Sequence, residues 1–80
     1  MAGKSKYTFD SKIHVYRATR RMTQQELADL VGVSRQTISL IERGDYSPSV
    51  TLALTLARIC RVRVEDIFIL EEGDPNEGPQ

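Results

Sequence analysis

The 80-residue chain contains one cysteine, no tryptophan and three prolines. The single cysteine, Cys60, excludes an internal disulfide and a four-ligand zinc site. No apolar run approaches the roughly 20 residues that cross a bilayer. The N-terminal lysines have no apolar segment behind them, so the sequence predicts no secretory signal. These absences favour a reducing compartment, and we expect a cytoplasmic protein with no membrane segment.

The groups required for catalysis are also scarce. His14 is the one histidine, and a surface position on a helix accounts for it without chemistry. The sequence has no carboxylate pair, no nucleophile–base set and no glycine-rich loop that would hold a phosphate. The sequence therefore predicts a protein that is not an enzyme, with no catalytic residues, no metal and no cofactor.

The formal net charge is zero, but its distribution is uneven. All 11 basic residues lie in residues 1–63 against five acids, a net charge of +6, and the other six acids lie in residues 65–77. A basic body with an acidic end is typical of nucleic-acid binding, although ordinary surface charge is the alternative explanation. Apolar residues make up 40% of the chain, which indicates one folded domain.

Residues 23–44 carry the clearest pattern, that of two short helices joined by a tight turn. Apolar residues recur at three- and four-residue spacing in each half. Thr23 and Glu26 form a capping-box pattern, and Ser34 is a good N-cap for the second helix. Gly32 lies between the halves, where a helix often ends with a positive φ. The outward face of the second helix carries groups that hydrogen-bond to bases and phosphates: Ser34, Arg35, Gln36, Ser39 and Arg43.

This stretch resembles the helix-turn-helix of phage-repressor and Cro-type transcription factors. The resemblance extends over residues 13–68 and includes Arg17, Pro48-Ser49 and residues 62–68. It implies an all-α, compact five-helix, lambda-repressor-like DNA-binding domain. The motifs that carry it are Thr23-Gln24, Glu26-Leu27-Ala28, Gly32-Val33-Ser34, Thr37-Ile38 and Ile41-Glu42-x-Gly44.

The family's docking, carried over residue by residue, places the second helix in the major groove of double-stranded DNA. Arginine pairs with guanine and glutamine with adenine. Leu40 meets a thymine methyl group or is simply a partly packed leucine. The resemblance also implies an ion pair between Arg17 and Glu42. The implied base-reading residues are Ser34, Arg35, Gln36, Ser39 and Leu40. The implied phosphate-binding residues are Arg17, Thr23, Gln24, Thr37, Arg43 and Tyr46.

The pattern predicts helices over residues 11–20, 24–31, 34–43, 48–60 and 65–68. Ser47 is the expected N-cap of the fourth, with Pro48 at its first position. Arg21 stands where the family usually has glycine or asparagine, which predicts left-handed backbone at this position or a different turn. Arg61 stands where the family commonly has glycine, a second departure from the family pattern.

We expect a flexible N-terminal arm over residues 1–10, a domain over 11–70 and a disordered acidic tail over 71–80. Alternation at Tyr7 and Phe9 is a weak strand signal in the arm. The apolar run before Glu71 predicts a short C-terminal strand that pairs with a second subunit, or else a last helical turn packed on the core.

The sequence therefore predicts a sequence-specific DNA-binding transcriptional regulator that acts as a repressor. We expect a homodimer formed through helix 4 and residues 67–72. The alternative is a protein-interaction module, the antitoxin of a toxin–antitoxin pair. Such antitoxins also have this fold. The operator, the regulated genes and any effector ligand do not follow from the sequence.

Overall fold

The computed structural model describes residues 7–72, and the arm residues 1–6 and tail residues 73–80 lie outside them. Five helices and a two-stranded antiparallel sheet make up the described part of the chain. In chain order the elements are β1 (Tyr7–Ser11), α1 (Ile13–Thr19), α2 (Gln24–Val31), α3 (Arg35–Glu42), α4 (Val50–Cys60), α5 (Val64–Ile67) and β2 (Phe68–Glu72).

The core receives at least one buried side chain from each helix. Burial of a large aliphatic side chain contributes about 1.5–3 kcal/mol, so this small set supplies most of the cohesion that a short chain can obtain. Helix α3 contributes Ile38 and Ile41 to this core, and neither side chain has any exposed surface. The cluster consists of Ile13, Leu27, Ala28, Ile38, Ile41, Leu56, Ala57 and Ile67.

Helices α2 and α3 begin with the predicted N-caps. The Thr23 hydroxyl accepts from the Glu26 N–H at 3.0 Å, and the Glu26 carboxylate accepts from the Thr23 N–H at 2.8 Å. Gly32 ends α2 with a φ of 82°. The Ser34 hydroxyl accepts from the Thr37 N–H at 3.1 Å and begins α3. Each contact satisfies an otherwise free group at a helix end.

The first helix is shorter than the predicted 11–20. Ser11 belongs to β1, and its hydroxyl accepts from the Ile13 N–H at 3.3 Å. The Lys12 N–H donates to the Ile67 carbonyl at 2.8 Å, which ties the start of α1 to α5. After α1, Arg21 has a φ of 54°, so the left-handed backbone predicted there is confirmed. Arg61, after α4, is also left-handed with a φ of 61°.

The predicted start of the fourth helix is wrong. Ser49 is the N-cap of α4, and its hydroxyl accepts from the Leu52 N–H at 3.1 Å, whereas Ser47 and Pro48 precede the helix. Serine is a good cap at both positions, so the local sequence did not discriminate between them. The last helix is also shifted, because Phe68 has an extended backbone and begins β2.

The two strands pair with each other within the chain. Their register joins Tyr7 to Glu72 and Ser11 to Phe68, and the rings of Phe9 and Phe68 meet edge to face at 5.5 Å. The C-terminal strand expected from the sequence is present, and β1 of the same chain pairs with one of its edges. The pairing with a second subunit that the sequence predicted stays a prediction.

The sheet corrects three further expectations. Residues 7–10 belong to β1 rather than to a flexible arm, and residues 71 and 72 belong to β2 rather than to a disordered tail. The all-α description holds for the helical body but not for the two ends of the described residues, which form β1 and β2. Nothing in residues 7–72 is a helix long and apolar enough to cross a membrane.

Candidate nucleic-acid interface

Helix α3 has one buried face and one open face. Ile38 and Ile41 fix the inner face in the core, so the outer face is held in a defined orientation. Arg35 and Gln36 are exposed at its first turn, directly after the exposed N-cap Ser34. Ser39 and Leu40, one turn further along, are half-buried. The five candidate base-reading residues are therefore brought to one helix, and the first three present their side chains to solvent.

The ion pair that the resemblance implied between Arg17 and Glu42 is present. Arg17 Nε donates to Glu42 Oε2 at 2.8 Å, and its Nη2 donates to Oε1 at 3.3 Å. The Glu42 side chain is 8% exposed and that of Arg17 is 20% exposed. Arg17 Nη1 also donates to the Met22 carbonyl at 2.9 Å. This fork joins α1, the turn after it and the end of α3, which a single arginine can do because its guanidinium is planar.

Gln24 extends this contact to the outer face of α3. Its Nε2 donates to Glu42 Oε1 at 3.0 Å, and its Oε1 accepts from Arg35 Nη1 at 3.4 Å. Glu42 thus accepts from both Arg17 and Gln24. The chain of contacts runs from the half-buried ion pair to the exposed Arg35 guanidinium and limits the directions that this group takes.

The other candidate phosphate-binding residues around α3 differ in exposure and in the contacts that they already make. Thr37 is half-buried, and its hydroxyl lies 2.9 Å from that of Ser34. Arg43 Nε is 3.3 Å from a carboxylate oxygen of Asp45, with both side chains more than half exposed. Tyr46 is 48% exposed in the following loop. The Thr23 hydroxyl accepts from the Glu26 N–H as the N-cap of α2. Thr23 therefore marks the N-terminal end of α2 and its hydroxyl already has a hydrogen-bond partner.

Sequence reasoning missed two contacts of this site. The bridge by Gln24 between Glu42 and Arg35 joins residues 18 and 11 positions apart, and no local pattern records such a contact. The Asp45 carboxylate beside Arg43 had a local signal, because the two residues lie on either side of the helix-ending Gly44. That carboxylate reduces the positive charge which Arg43 offers to an anion.

The chemistry available at this surface is hydrogen bonding and charge. Residues 7–72 hold no group of three or more histidine, cysteine or acidic side chains placed to bind a metal. Cys60 is buried in the body of the fold, away from α3, and burial raises the pKa of its thiol while the charge of Arg20 partly offsets that rise. The surface is suited to binding a polyanion that also presents hydrogen-bond donors and acceptors, as the base edges of DNA do.

Two helices joined by a glycine turn, with the outer face of the second open and rich in arginine and amide groups, define a DNA-binding helix-turn-helix regulator. The comparison with known families agrees. A family model described as Helix-turn-helix (HTH_3) matches residues 13–67, and the chain belongs to this family.

The relatives are of the same kind. The chain is 48% identical over 64 residues to MJ0272 of Methanocaldococcus jannaschii, an uncharacterised HTH-type transcriptional regulator, and the match covers 80% of this chain and 97% of that one. It is similar to the restriction-modification controller protein C.AhdI from Aeromonas hydrophila at 26% identity and a TM-score of 0.62, over 68% of this chain and 78% of the other.

A third similar structure was solved with DNA. It is the biofilm master regulator SinR, which is 29% identical with a TM-score of 0.62, and the match covers 68% of this chain and 87% of SinR. These likenesses establish a helix-turn-helix transcriptional regulator for this chain. They leave the roles of individual side chains to be argued from the geometry above.

Proposed function

We propose that α3 enters the major groove and reads base sequence with Arg35 and Gln36. The main support for the proposal is that the inner face of α3 is buried in the core while its polar first turn is exposed. The N-terminal residues of a recognition helix are those that reach base edges in this docking geometry. Arg35 fits guanine O6 and N7, and Gln36 fits adenine N6 and N7. Ser34, Ser39 and Leu40 flank these two and refine the preference.

The phosphate contacts follow from the same docking. The N-terminus of α2 carries the partial positive charge of the helix dipole, and Gln24 stands at its first position. Arg43 and Tyr46 lie just beyond the other end of α3, so the two sets of groups flank the helix. Thr23, Thr37 and the edge of Arg17 complete the contact with the backbone. These contacts set register and affinity rather than sequence preference.

The chain acts, in this proposal, as a homodimer formed through α4 and residues 67–72. Several large apolar side chains on these elements are exposed, among them Val50 at 76%, Leu54 at 55% and Leu70 at 70%. Two copies related by a two-fold axis would place their α3 helices about 34 Å apart, on adjacent turns of the duplex. Bound in this way in the cytoplasm, the dimer acts as a repressor by occluding the operator.

The exposed apolar side chains also support the second candidate, an antitoxin that binds a protein partner with the same surface. The two functions differ in what mutation of α3 does. In an antitoxin, Arg35→Ala with Gln36→Ala removes DNA binding and leaves the protein complex intact. A companion reading frame next to the gene would favour this candidate.

The test is a titration of purified protein with duplex DNA from its own upstream region and with random duplex, at several salt concentrations. We expect the wild type to prefer the upstream DNA, with an affinity that falls steeply as salt rises. The double variant Arg35→Ala/Gln36→Ala should lose the preference and retain weak binding. The control variant Arg43→Ala should weaken binding to both duplexes alike. Absence of any preference by the wild type at every salt concentration would refute the proposal.

A further inference from the structure

Two neighbouring grooves on the surface share the lining residue Val64. The first, of about 490 Å³, lies under the sheet, and Leu70 and Phe68 of β2 form part of its wall together with Ala53. The second, of about 840 Å³, lies between the end of α4 and α5. Because Val64 lines both, the β2 residues Phe68 and Leu70 lie near the second groove.

The second groove has an apolar floor and a basic rim. Leu54, Val62 and Val64 contribute apolar surface, and Leu54 is more than half exposed. Arg58, Arg61 and Arg63 line the groove, with Glu65 and Asp66 on the α5 side. Asp66 is engaged in accepting from the Arg63 N–H at 3.0 Å. We name this feature the arginine groove.

The end of β2 has the opposite character. Leu70 is 70% exposed, and the exposed Glu71 and Glu72 follow it. We name Leu70, Glu71 and Glu72 the strand tip. Successive strand residues point to opposite faces, so Leu70 and Glu72 share one face of β2 and Glu71 lies on the other. An apolar side chain beside a carboxylate is complementary to a groove that has apolar surface and more arginines than acids.

Neither set of charges is paired within the described chain. The ion pairs of residues 7–72 are Lys12–Asp10, Arg17–Glu42 and Arg43–Asp45. Arg58, Arg61 and Arg63 therefore have no carboxylate within 4.0 Å in this part of the chain, and neither glutamate of the strand tip has a basic partner there.

We propose that the strand tip of one copy of this chain occupies the arginine groove of a second copy, and that the contact is made twice. This inference rests on the homodimer of the proposed function and identifies its contacts. A two-fold axis that passes near Val64 relates the strand tip of each copy to the arginine groove of the other. An acidic and a basic surface that lie near one another are self-complementary under such an axis, which is the requirement for a closed dimer.

The two-fold relation gives a charge-exchange experiment. The groove variant is Arg58→Glu/Arg61→Asp, in which aspartate is used at position 61 because it tolerates left-handed backbone. The strand-tip variant is Glu71→Arg/Glu72→Arg. Mass in solution is measured without DNA, by sedimentation velocity, for the wild type, for each variant alone and for an equimolar mixture. Circular dichroism verifies that every protein is folded.

In each variant alone, both contacts oppose like charges, so we expect monomers at concentrations where the wild type is a dimer. In the mixture both contacts are again between opposite charges, and we expect heterodimers. The dissociation constant of each variant alone should rise on the order of tenfold or more. A monomeric wild type, variants that dimerise as the wild type does, or a mixture that stays monomeric would each overturn the inference.

Neutral variants cover the case in which a charge reversal prevents folding. Arg58→Gln, Glu72→Gln and the double variant Arg58→Gln/Glu72→Gln then form a double-mutant cycle for the dimer dissociation constant. We expect the double variant to be weakened by less than the sum of the two single effects, since the second change removes a partner already lost. Strict additivity for every such groove and strand-tip pair would contradict the contact.

The outcome is separable from the DNA-reading proposal. Arg35 and Gln36 lie on α3 and belong to neither the strand tip nor the arginine groove. A failed charge exchange with an intact preference for one DNA sequence removes this interface alone. A successful exchange in a protein that shows no sequence preference removes the DNA-reading proposal alone.

Discussion

At the residue scale, Glu42 is the group on which the site depends. Its carboxylate accepts from Arg17 twice and from Gln24 once, at distances between 2.8 and 3.3 Å. A carboxylate that is 8% exposed requires such donors, because burial of an unpaired charge is costly. The same donors link the core to Arg35, so stability and the orientation of the recognition surface depend on one side chain.

We predict that Glu42→Ala lowers the free energy of unfolding by roughly 3 kcal/mol, because Arg17 keeps a largely buried charge without its partner. Urea unfolding followed by circular dichroism measures the change. The matched control is Asp45→Ala, which removes the exposed partner of Arg43 and should cost less than about 1 kcal/mol. Equal losses for the two variants would show that the Arg17–Glu42 pair is no more than a surface contact.

Cys60 gives a second prediction at this scale. Burial raises the pKa of its thiol, with a partial offset from the charge of Arg20. We expect the folded protein to react with Ellman's reagent about a hundredfold or more slowly than the unfolded protein, because reaction requires local opening. Fast reaction of the folded protein at pH 8 would contradict the burial of this side chain.

The raised pKa also fixes a pH dependence. The stabilisation from a protonated Cys60 is complete below the thiol's unfolded pKa of about 8.5 and decreases as the pH rises above it. The difference in unfolding free energy between the wild type and Cys60→Ala should therefore shrink as the pH rises above about 8.5.

At the element scale, sequence reasoning succeeded where structure is local. The bounds of α2 and the caps at Thr23 and Ser34 follow from residues within four positions of one another. The pairing of β1 with β2 joins segments about 60 residues apart. Alternation gave a weak signal for β1 and an apolar run indicated β2, but neither signal indicated the partner. The contact of Gln24 with Arg35 was likewise beyond local patterns, whereas that of Arg17 with Glu42 came from family resemblance.

The start of α4 tests this distinction directly. We predict that Ser49→Ala destabilises the protein by about 1 kcal/mol, because the Leu52 N–H loses its acceptor. Ser47→Ala, the matched control at the cap expected from sequence, should change stability by less than about 0.5 kcal/mol. Thermal melting of both variants measures the two changes in stability. A larger loss of stability for Ser47→Ala would show that α4 begins at Pro48, as the sequence predicted.

The end of α1 provides a further prediction. Arg21 has a φ of 54°, a conformation that glycine adopts without the steric cost of a Cβ. We predict that Arg21→Gly raises the free energy of unfolding by about 0.5 to 1 kcal/mol. The neighbouring Arg20 has a φ of −97°, so Arg20→Gly should lower stability instead. Chemical denaturation measures both variants. If Arg21→Gly lowers the free energy of unfolding as Arg20→Gly does, the Arg21 side chain makes a contact that outweighs the backbone strain.

At the scale of the whole molecule, the two ends of the described chain meet in one sheet. The sheet is tied to the helical body by the edge-to-face rings of Phe9 and Phe68 and by the Lys12 bond to Ile67. The basic recognition surface and the acidic strand tip thus belong to one folded unit. The formal net charge of zero is therefore the sum of a basic part and an acidic end, for which we propose separate roles in binding DNA and a second copy.

The most direct test of the account is selection of preferred duplexes from a random DNA library by the wild type, Arg35→Ala/Gln36→Ala and Arg43→Ala. We predict that the wild type selects one half-site sequence and that Arg43→Ala selects the same sequence with lower affinity. The double variant should lose its preference at specific base pairs, each worth about 1–3 kcal/mol. If the double variant selects the same sequence as the wild type, α3 does not read bases through Arg35 and Gln36, and the central claim is wrong.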